Sequence, residues 1–330
     1  MSLIETNQHD NHAESKSSPL GGVRGGCISI KSPATVANLV CGFDILGMAL
    51  NEPYDIMKLK LIDEPNVMII NKDNYNLPTE AEKNVAGVVL LEIIKHNNNS
   101  FGFEVEIEKR IKPGSGLGSS SASAAGAAVG ANLLLNNQYN NDELVQFAMF
   151  GEKLASGVKH ADNIAPCILG GVTLIRSIHP LDIVQLNSPS LFVTVVHPQI
   201  EVKTSDARQI LRKEVLLKDA IKQWGNIAGL VAGFEKGDTG LIGRSLEDVI
   251  IEPVRSILIP GFDAIKSQSK EAGALGGGIS GSGPSIFMLS EDETTAKKAE
   301  AIMQQTFTEL EIEYKTYVTK IAEKGVQLIS

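Results

Sequence analysis

A chain of 330 residues that is 43% hydrophobic and 21% charged has core material for two domains rather than one. Its formal net charge of −9 excludes nucleic acid and acidic membrane surfaces as partners, while a local site for a small anion stays open. No apolar run approaches the ~18 residues that a membrane span needs. The three scattered cysteines, Cys27, Cys41 and Cys167, form no CxxC pair and read as reduced thiols of a cytoplasmic protein.

In chain order, residues 1–25 are polar and lack the basic start and apolar stretch of a signal peptide; they read as a disordered tail. "CISIKSPATVANLV" opens the fold with a short β-like run before a Ser-Pro turn. "YDIMKLKLI", "NVMII" and the alternating run 101–111 read as strands, and "AEKNVAGVVLLEIIKHN" has helical periodicity. A glycine loop then leads into a helix over about 119–135. "NDELVQFAMFGEKLASG" predicts a second helix with Asn141 or Asp142 as N-cap, and "CILGGVTLI" a buried strand. From "SPSLFVTVVHP" the pattern restarts as a strand. Helices follow at "TSDARQILR", with Thr204 or Ser205 as cap, and at "DAIKQWGNIAGLVAGFEKG". "AIKSQSKEAGALGGGISGSGPSIFML" reads as helix, glycine loop and strand, "TTAKKAEAIMQQTFTEL" as a last helix, and "YKTYVTKI" as an edge strand. The alternation predicts an α+β fold in two halves, an N-terminal domain over 26–185 and a C-terminal domain over 186–330.

The stretch "KPGSGLGSSSASAAGAAVGANLLL" carries the chemistry. Glycines let backbone approach a ligand closely, and the first N–H groups of a helix have no internal partner, so a phosphate fits there. Ser119, Ser120 and Ser121 add hydroxyls for a cation or a phosphate. Ala122, Gly126 and Gly130 fall at i, i+4 and i+8 and predict a smooth packing stripe. No Gly-Lys dipeptide occurs, which excludes a Walker loop. Gly276, Gly278 and Gly281 satisfy GxGxxG, but they precede a strand where a dinucleotide fold needs them to follow one. The Gly276–Gly283 loop reads either as a second wall of the site or as a tight turn.

The stretch "IKPGSGLGSSSASAAGA" resembles the signature loop of the GHMP kinases, the galacto-, homoserine, mevalonate and phosphomevalonate kinase superfamily. "SPATVANLVCGFDILGMAL" and "FGEKLASGVKHADNIAPCILGG" are similar to its homoserine kinase branch, as are "KTSDARQIL" and "EPVRSILIPGF". "GGGISGSGPSIF" is similar to the superfamily's C-terminal motif, so the resemblance covers about residues 26–330. It implies two α+β domains with the ligands between them, a left-handed βαβ crossover in the first and a ferredoxin-like second. It further implies transfer of the γ-phosphoryl of ATP to the hydroxyl of L-homoserine, on the route to threonine, and a possible homodimer. Other kinases of the superfamily and a non-catalytic ATP/metabolite sensor of the same fold are the alternatives.

The resemblance also implies residue roles. Pro113, Gly114, Ser115, Gly116, Leu117, Gly118, Ser119, Ser120 and Ser121 would wrap the triphosphate of ATP. Glu152 and Ser120, or Ser119 with a slipped register, would hold Mg2+, which prefers hard oxygens. Arg208 and Arg255, with Thr204 beside them, would take the substrate carboxylate, since a guanidinium fork binds two oxygens in one plane. Asn38 and Asp44 would hold the ammonium and hydroxyl end. Asn163 stands where other branches carry a candidate base; an amide accepts no proton at neutral pH, so it would only orient the hydroxyl. Asp162 and His160 are the rival bases.

Overall fold

The computed structural model describes residues 26–202 and 204–329, with backbone alone at 204–206. The tail expected at 1–25 and the side chain of Thr204 lie outside the described residues. A seven-stranded sheet dominates the first half. Its strands are β1 (Cys27–Ala37), β2 (Leu46–Ile62), β3 (Val67–Asn71), β4 (Gly102–Glu108), β5 (Val172–Ile178), β6 (Leu181–Leu186) and, from the far end of the chain, β11 (Gln327–Leu328). The order is β11-β1-β2-β4-β3, with β5 on the free length of β2 and β6 on β5. Only β3 and β4 pair in parallel, and the helix α1 (Val85–His96) joins them as a βαβ unit.

The helix after the glycine loop, α2 (Ser119–Leu134), is polar-poor because it has no wet face. All but three of its residues are buried, between the sheet and the helices α1, α3 (Asn141–Ser156) and α4 (Ile164–Leu169). A Cβ at Gly130 would come within 2.6 Å of Leu59, and one at Gly126 within 2.5 Å of the Ser32 hydroxyl. The stripe expected at 122, 126 and 130 therefore lets α2 settle directly onto β1 and β2.

The second sheet has the order β10-β7-β9-β8, all antiparallel, from β7 (Phe192–Pro198), β8 (Gly276–Ile279), β9 (Ile286–Ser290) and β10 (Tyr314–Lys320). Five helices separate β7 from β8: α5 (Thr204–Gln209), α6 (Leu217–Lys236), α7 (Thr239–Ser245), α8 (Glu252–Arg255) and α9 (Phe262–Glu271). The last helix, α10 (Glu293–Glu309), separates β9 from β10. This is a βαββαβ plan of ferredoxin-like type. Strand alternation splits its buried residues in two. Ile286, Met288 and Val196 face α9 and α10, in a cluster with Ile265, Met303 and Phe307. Val193, Val195, Phe287 and Leu289 face the other way and join Leu230, Phe234 and the core of the first half. The α+β arrangement in two sheets follows the sequence reading.

Several elements differ from that reading. β1 runs straight through Ser32-Pro33, with the pairing to β2 shifting between Pro33 and Thr35, so the proline sits at an irregularity that spares it a ladder hydrogen bond. The cap of α3 is Asn140, in a reciprocal capping box with Glu143, in place of Asn141 or Asp142. Residues 81–83 form a separate 3-10 turn, and α1 starts only after Asn84, whose side chain accepts from Ala86 and Gly87. The expected strand at 167–175 divides into the end of α4 and the start of β5, because Gly170 and Gly171 both take positive φ between them. The glycines 276–278 are a strand rather than a loop. A Cβ at Gly277 would lie 1.9 Å from the Phe287 carbonyl, and one at Gly278 2.2 Å from Glu252. The chain after β10 crosses back to the first sheet, where Ala322 and Ala49 exchange backbone bonds with their neighbours and β11 pairs with β1.

Candidate active site

A cavity of about 420 Å3 opens between the two sheets, lined by the glycine loop, the turn after β1, the ends of α3 and α5, and the 281–282 turn. The loop reaches it with Gly114, Gly116 and Gly118 all at positive φ (75°, 79° and 65°), a conformation that aims successive amides to one side. Gly116 has no room for a side chain, since a Cβ would lie 2.6 Å from the carbonyls of Ser280 and Gly283. No side chain caps α2, so its first amides stay open to an anion. Pro113, Gly114, Gly116, Gly118, Ser119 and Ser120 line the cavity; Ser115, Leu117 and Ser121 do not. Leu117 is a core residue, and the Ser115 hydroxyl accepts from the Leu117 amide inside the loop.

The C-terminal glycine motif decides the open alternative in favour of a second wall. The Ser280 hydroxyl donates to the Gly116 carbonyl (2.6 Å) and the Ser285 hydroxyl to that of Ser115 (2.6 Å). Gly281 and Ser282 line the cavity opposite.

Beneath the loop lies a group that the sequence reading misses. Lys109 and Asp55 form an ion pair, both side chains under 5% exposed. The same ammonium donates to the Ser119 carbonyl (2.6 Å) and the Ser123 hydroxyl (3.0 Å), while Asp55 accepts from the Arg110 and Ile111 amides. The "EIEKRI" pattern could have flagged it, since Lys109 falls on the inward, apolar phase of β4.

The hydroxyls of Ser120 and Ser121 each lie 3.3 Å from the Glu152 carboxylate, whereas that of Ser119 donates to the Ile111 carbonyl. Burial pushes the Glu152 carboxyl above its ordinary value, against the hydrogen bonds from Ser156, Ser120 and Ser121. These are hard oxygen donors at the mouth of an anion loop, and they suit Mg2+. Among the described residues no group of three or more His, Cys, Asp or Glu side chains is placed to hold a metal. One carboxylate and one hydroxyl fit an ion that takes its other ligands from phosphate and water.

At the far end stands a charged cluster. Arg208 donates to both oxygens of Asp44 (2.9 and 3.3 Å), and its Nη2 lies 3.0 Å from His160 Nε2. Burial lowers the His160 pKa and so favours the neutral ring, and the Arg208 guanidinium, which only donates, makes Nε2 the acceptor. Arg255 is 3% exposed and donates to the carbonyls of Ala207 and Gly281; burial, then Arg208, push its pKa down to about 10. Both guanidiniums lie against Phe43, whose ring centre is 5.6 Å from Arg208 and 4.9 Å from Arg255. The turn that carries Phe43 and Asp44 is conformationally costly, with Asn38, Leu39, Val40 and Asp44 all at positive φ. Asn38 holds it together, accepting from the Asp44 amide and donating to the Gly281 carbonyl. Asp162 and Asn163 line the cavity between the two ends. Burial, then Asp44 and Glu152, raise the Asp162 carboxyl to about 7. The Asn163 Oδ1 accepts from the Thr35 hydroxyl at 2.7 Å.

The comparisons with known proteins agree with this geometry. Residues 84–171 match the family model "GHMP kinases N terminal domain", and residues 230–309 match "GHMP kinases C terminal". A homoserine kinase of Chloroherpeton thalassium is 43% identical over 312 residues, covering 90% of this chain and 98% of the relative. One of Methanocella arvoryzae is 40% identical over 303 residues, covering 92% and 97%. The crystal structure of a homoserine kinase from Cytophaga hutchinsonii superposes with a TM-score of 0.88 at 47% identity, over 92% of this chain and 97% of that one. The L. major mevalonate kinase, solved with R-mevalonate, shares only the fold: TM-score 0.67 at 14% identity, over 89% and 95%. With an anion loop closed by a C-terminal glycine turn, and with full-length likeness to these relatives, the chain belongs to the GHMP kinases, within the homoserine kinase family.

Proposed function

We propose that this protein transfers the γ-phosphoryl group of ATP to the side-chain hydroxyl of L-homoserine, giving O-phospho-L-homoserine and ADP. The observation that carries this reading is a zwitterion-sized charged cluster, Asp44, His160, Arg208 and Arg255, facing an anion loop across one cavity. A hydroxy acid without an ammonium leaves Asp44 without a cation from the ligand, and a sugar leaves the arginines without a carboxylate.

The glycine loop and the open amides of α2 bind the triphosphate, and Glu152 with Ser120 holds Mg2+, which neutralises charge on the transferring group. Arg255 and Arg208 take the substrate carboxylate, and Asp44 takes the ammonium in exchange for its present partner. Asn163 orients the acceptor hydroxyl. A loose transition state asks little of the nucleophile, so the hydroxyl proton leaves late, to a phosphate oxygen or water, without an obligatory side-chain base. One observation favours a second reading of that step: Asp162, raised to about 7, has the acidity of a general base. The protein works in the cytoplasm, as a homodimer. Among the described residues no helix is long and apolar enough to cross a membrane.

The test is ADP release with homoserine, mevalonate, galactose and shikimate as acceptors, with and without Mg2+. Homoserine should lead in kcat/KM, with L-threonine and L-serine much poorer. Faster turnover of mevalonate or galactose would remove the proposal, and ATP binding without turnover of any acceptor would favour a sensor. Light scattering of the purified protein checks the dimer.

A further inference from the structure

Thr35 sits in β1 with no exposed surface, beside the shift in pairing around Pro33, and it does not line the cavity. Its hydroxyl is nevertheless spent on the active site. It donates to Asn163 Oδ1 at 2.7 Å, across 128 residues of sequence. Its amide donates to the Leu117 carbonyl (3.1 Å), inside the glycine loop. Gly118 closes over this contact, since a Cβ there would lie 1.9 Å from the Thr35 hydroxyl and 3.0 Å from Asn163 Oδ1. Thr35 thus touches both the glycine loop and the amide expected to orient the acceptor.

We propose that Thr35 is a positioning residue that anchors the Asn163 amide at the cavity, with Oδ1 on its hydroxyl. This rests on the proposed kinase reaction. A side-chain amide has one accepting end and one donating end. With Oδ1 bound by Thr35, the NH2 group is the end left for the cavity that Asn163 lines. The site then offers the acceptor oxygen a donor and no acceptor. A donor holds the hydroxyl by its lone pair and leaves its proton pointing away, toward phosphate or water. Without Thr35 the amide can rotate, and an orientation that presents its oxygen captures the hydroxyl proton and turns the reacting lone pair out of line. The same residue keeps the distance between acceptor and loop, because its backbone is bonded to that loop.

Thr35→Val keeps shape and strand preference while removing the donor. We expect kcat to fall about 10- to 100-fold, the usual cost of a misplaced reacting group, with KM for ATP and homoserine within about threefold. Thr35→Ser keeps the hydroxyl and should restore most of the rate. In an Asn163→Ala background Thr35→Val should cost nothing further, since the two act as a unit. A fourth measurement separates orientation from packing. In Asn163→Asp the Thr35 hydroxyl stabilises the carboxylate, so adding Thr35→Val should move the acidic limb of the pH–rate profile up by about one unit. Should the valine variant fail to fold, Thr35→Ala against Thr35→Ser repeats the comparison. Wild-type kcat in Thr35→Val, a full additive loss on Asn163→Ala, or an unmoved acidic limb each overturns the inference. Absence of homoserine turnover in the wild-type chain overturns instead the reaction on which it rests.

Discussion

Lys109→Met should weaken the protein and its grip on ATP together. The substitution removes a buried ammonium and strands three acceptors: Asp55, the Ser119 carbonyl and the Ser123 hydroxyl. Breaking one side of a buried pair costs about 3–5 kcal/mol. Asp55 keeps two backbone amides, from Arg110 (2.7 Å) and Ile111 (2.9 Å), which places the loss at the lower end of that range. Unfolding entropy near 2.1 cal/mol/K per residue gives roughly 0.7 kcal/mol/K for a chain of this length, so Tm should fall by about 4–5 °C. The comparison is Lys222→Met, whose partner Glu247 and which itself are about half exposed; it should leave Tm unchanged. Scanning calorimetry reads both. Because the Ser119 carbonyl belongs to the first turn of α2, KM for ATP should also rise several-fold in Lys109→Met. A shift below about 1 °C, or lost stability with an unchanged KM for ATP, would refute the view that this pair fixes the anion loop.

Replacing Arg208 or Arg255 by Met should cost roughly 2–5 kcal/mol in kcat/KM for homoserine, since the substrate carboxylate is left buried and unpaired; steady-state kinetics showing under threefold loss would sink that role. Glu152→Gln should collapse kcat and recover partly at high Mg2+, whereas wild-type kinetics at low Mg2+ would remove Glu152 from the metal site. Asp162 has its carboxyl raised from 3.8 to about 7, so the stability it contributes is present at pH 4 and is lost as pH rises through 7. Asp162→Asn should accordingly gain roughly 2–4 kcal/mol on the wild type between pH 4 and pH 8, read by urea titration; parallel curves would contradict the shift. In catalysis Asp162→Asn and His160→Gln should each lose less than about a hundredfold, below the usual worth of a general base. Abolished turnover with substrate still bound in Asp162→Asn would identify Asp162 as the base.

Local chemistry determined much of this protein from sequence alone. The glycine–serine run before an alanine-rich helix announced a loop with close backbone approach and an uncapped helix start, because both depend on residues next to one another in the chain. Alternation in 101–111 announced β4, and the 122–126–130 stripe announced a helix seated directly on a sheet. Motif likeness singled out Glu152, Arg208 and Arg255, which line one cavity with that loop. What the chain itself could not decide depends on partners far away. The run 276–278 reads as a loop by composition, yet it is a strand paired with β9, where a Cβ at Gly277 would strike the Phe287 carbonyl and one at Gly278 the Glu252 carboxylate. Residues 167–175 read as one strand until the return of the chain at 322–326 fixes the break at Gly170 and Gly171. Asp55 and Lys109 look like ordinary surface charges until β2 and β4 pair beneath α2 and take both from water. The bond from Thr35 to Asn163, closed by Gly118, exists only once β1, the loop and the start of α4 converge. Periodicity and turn chemistry are written in neighbours, whereas burial, charge pairing and the orientation of an amide are properties of what the fold brings against them.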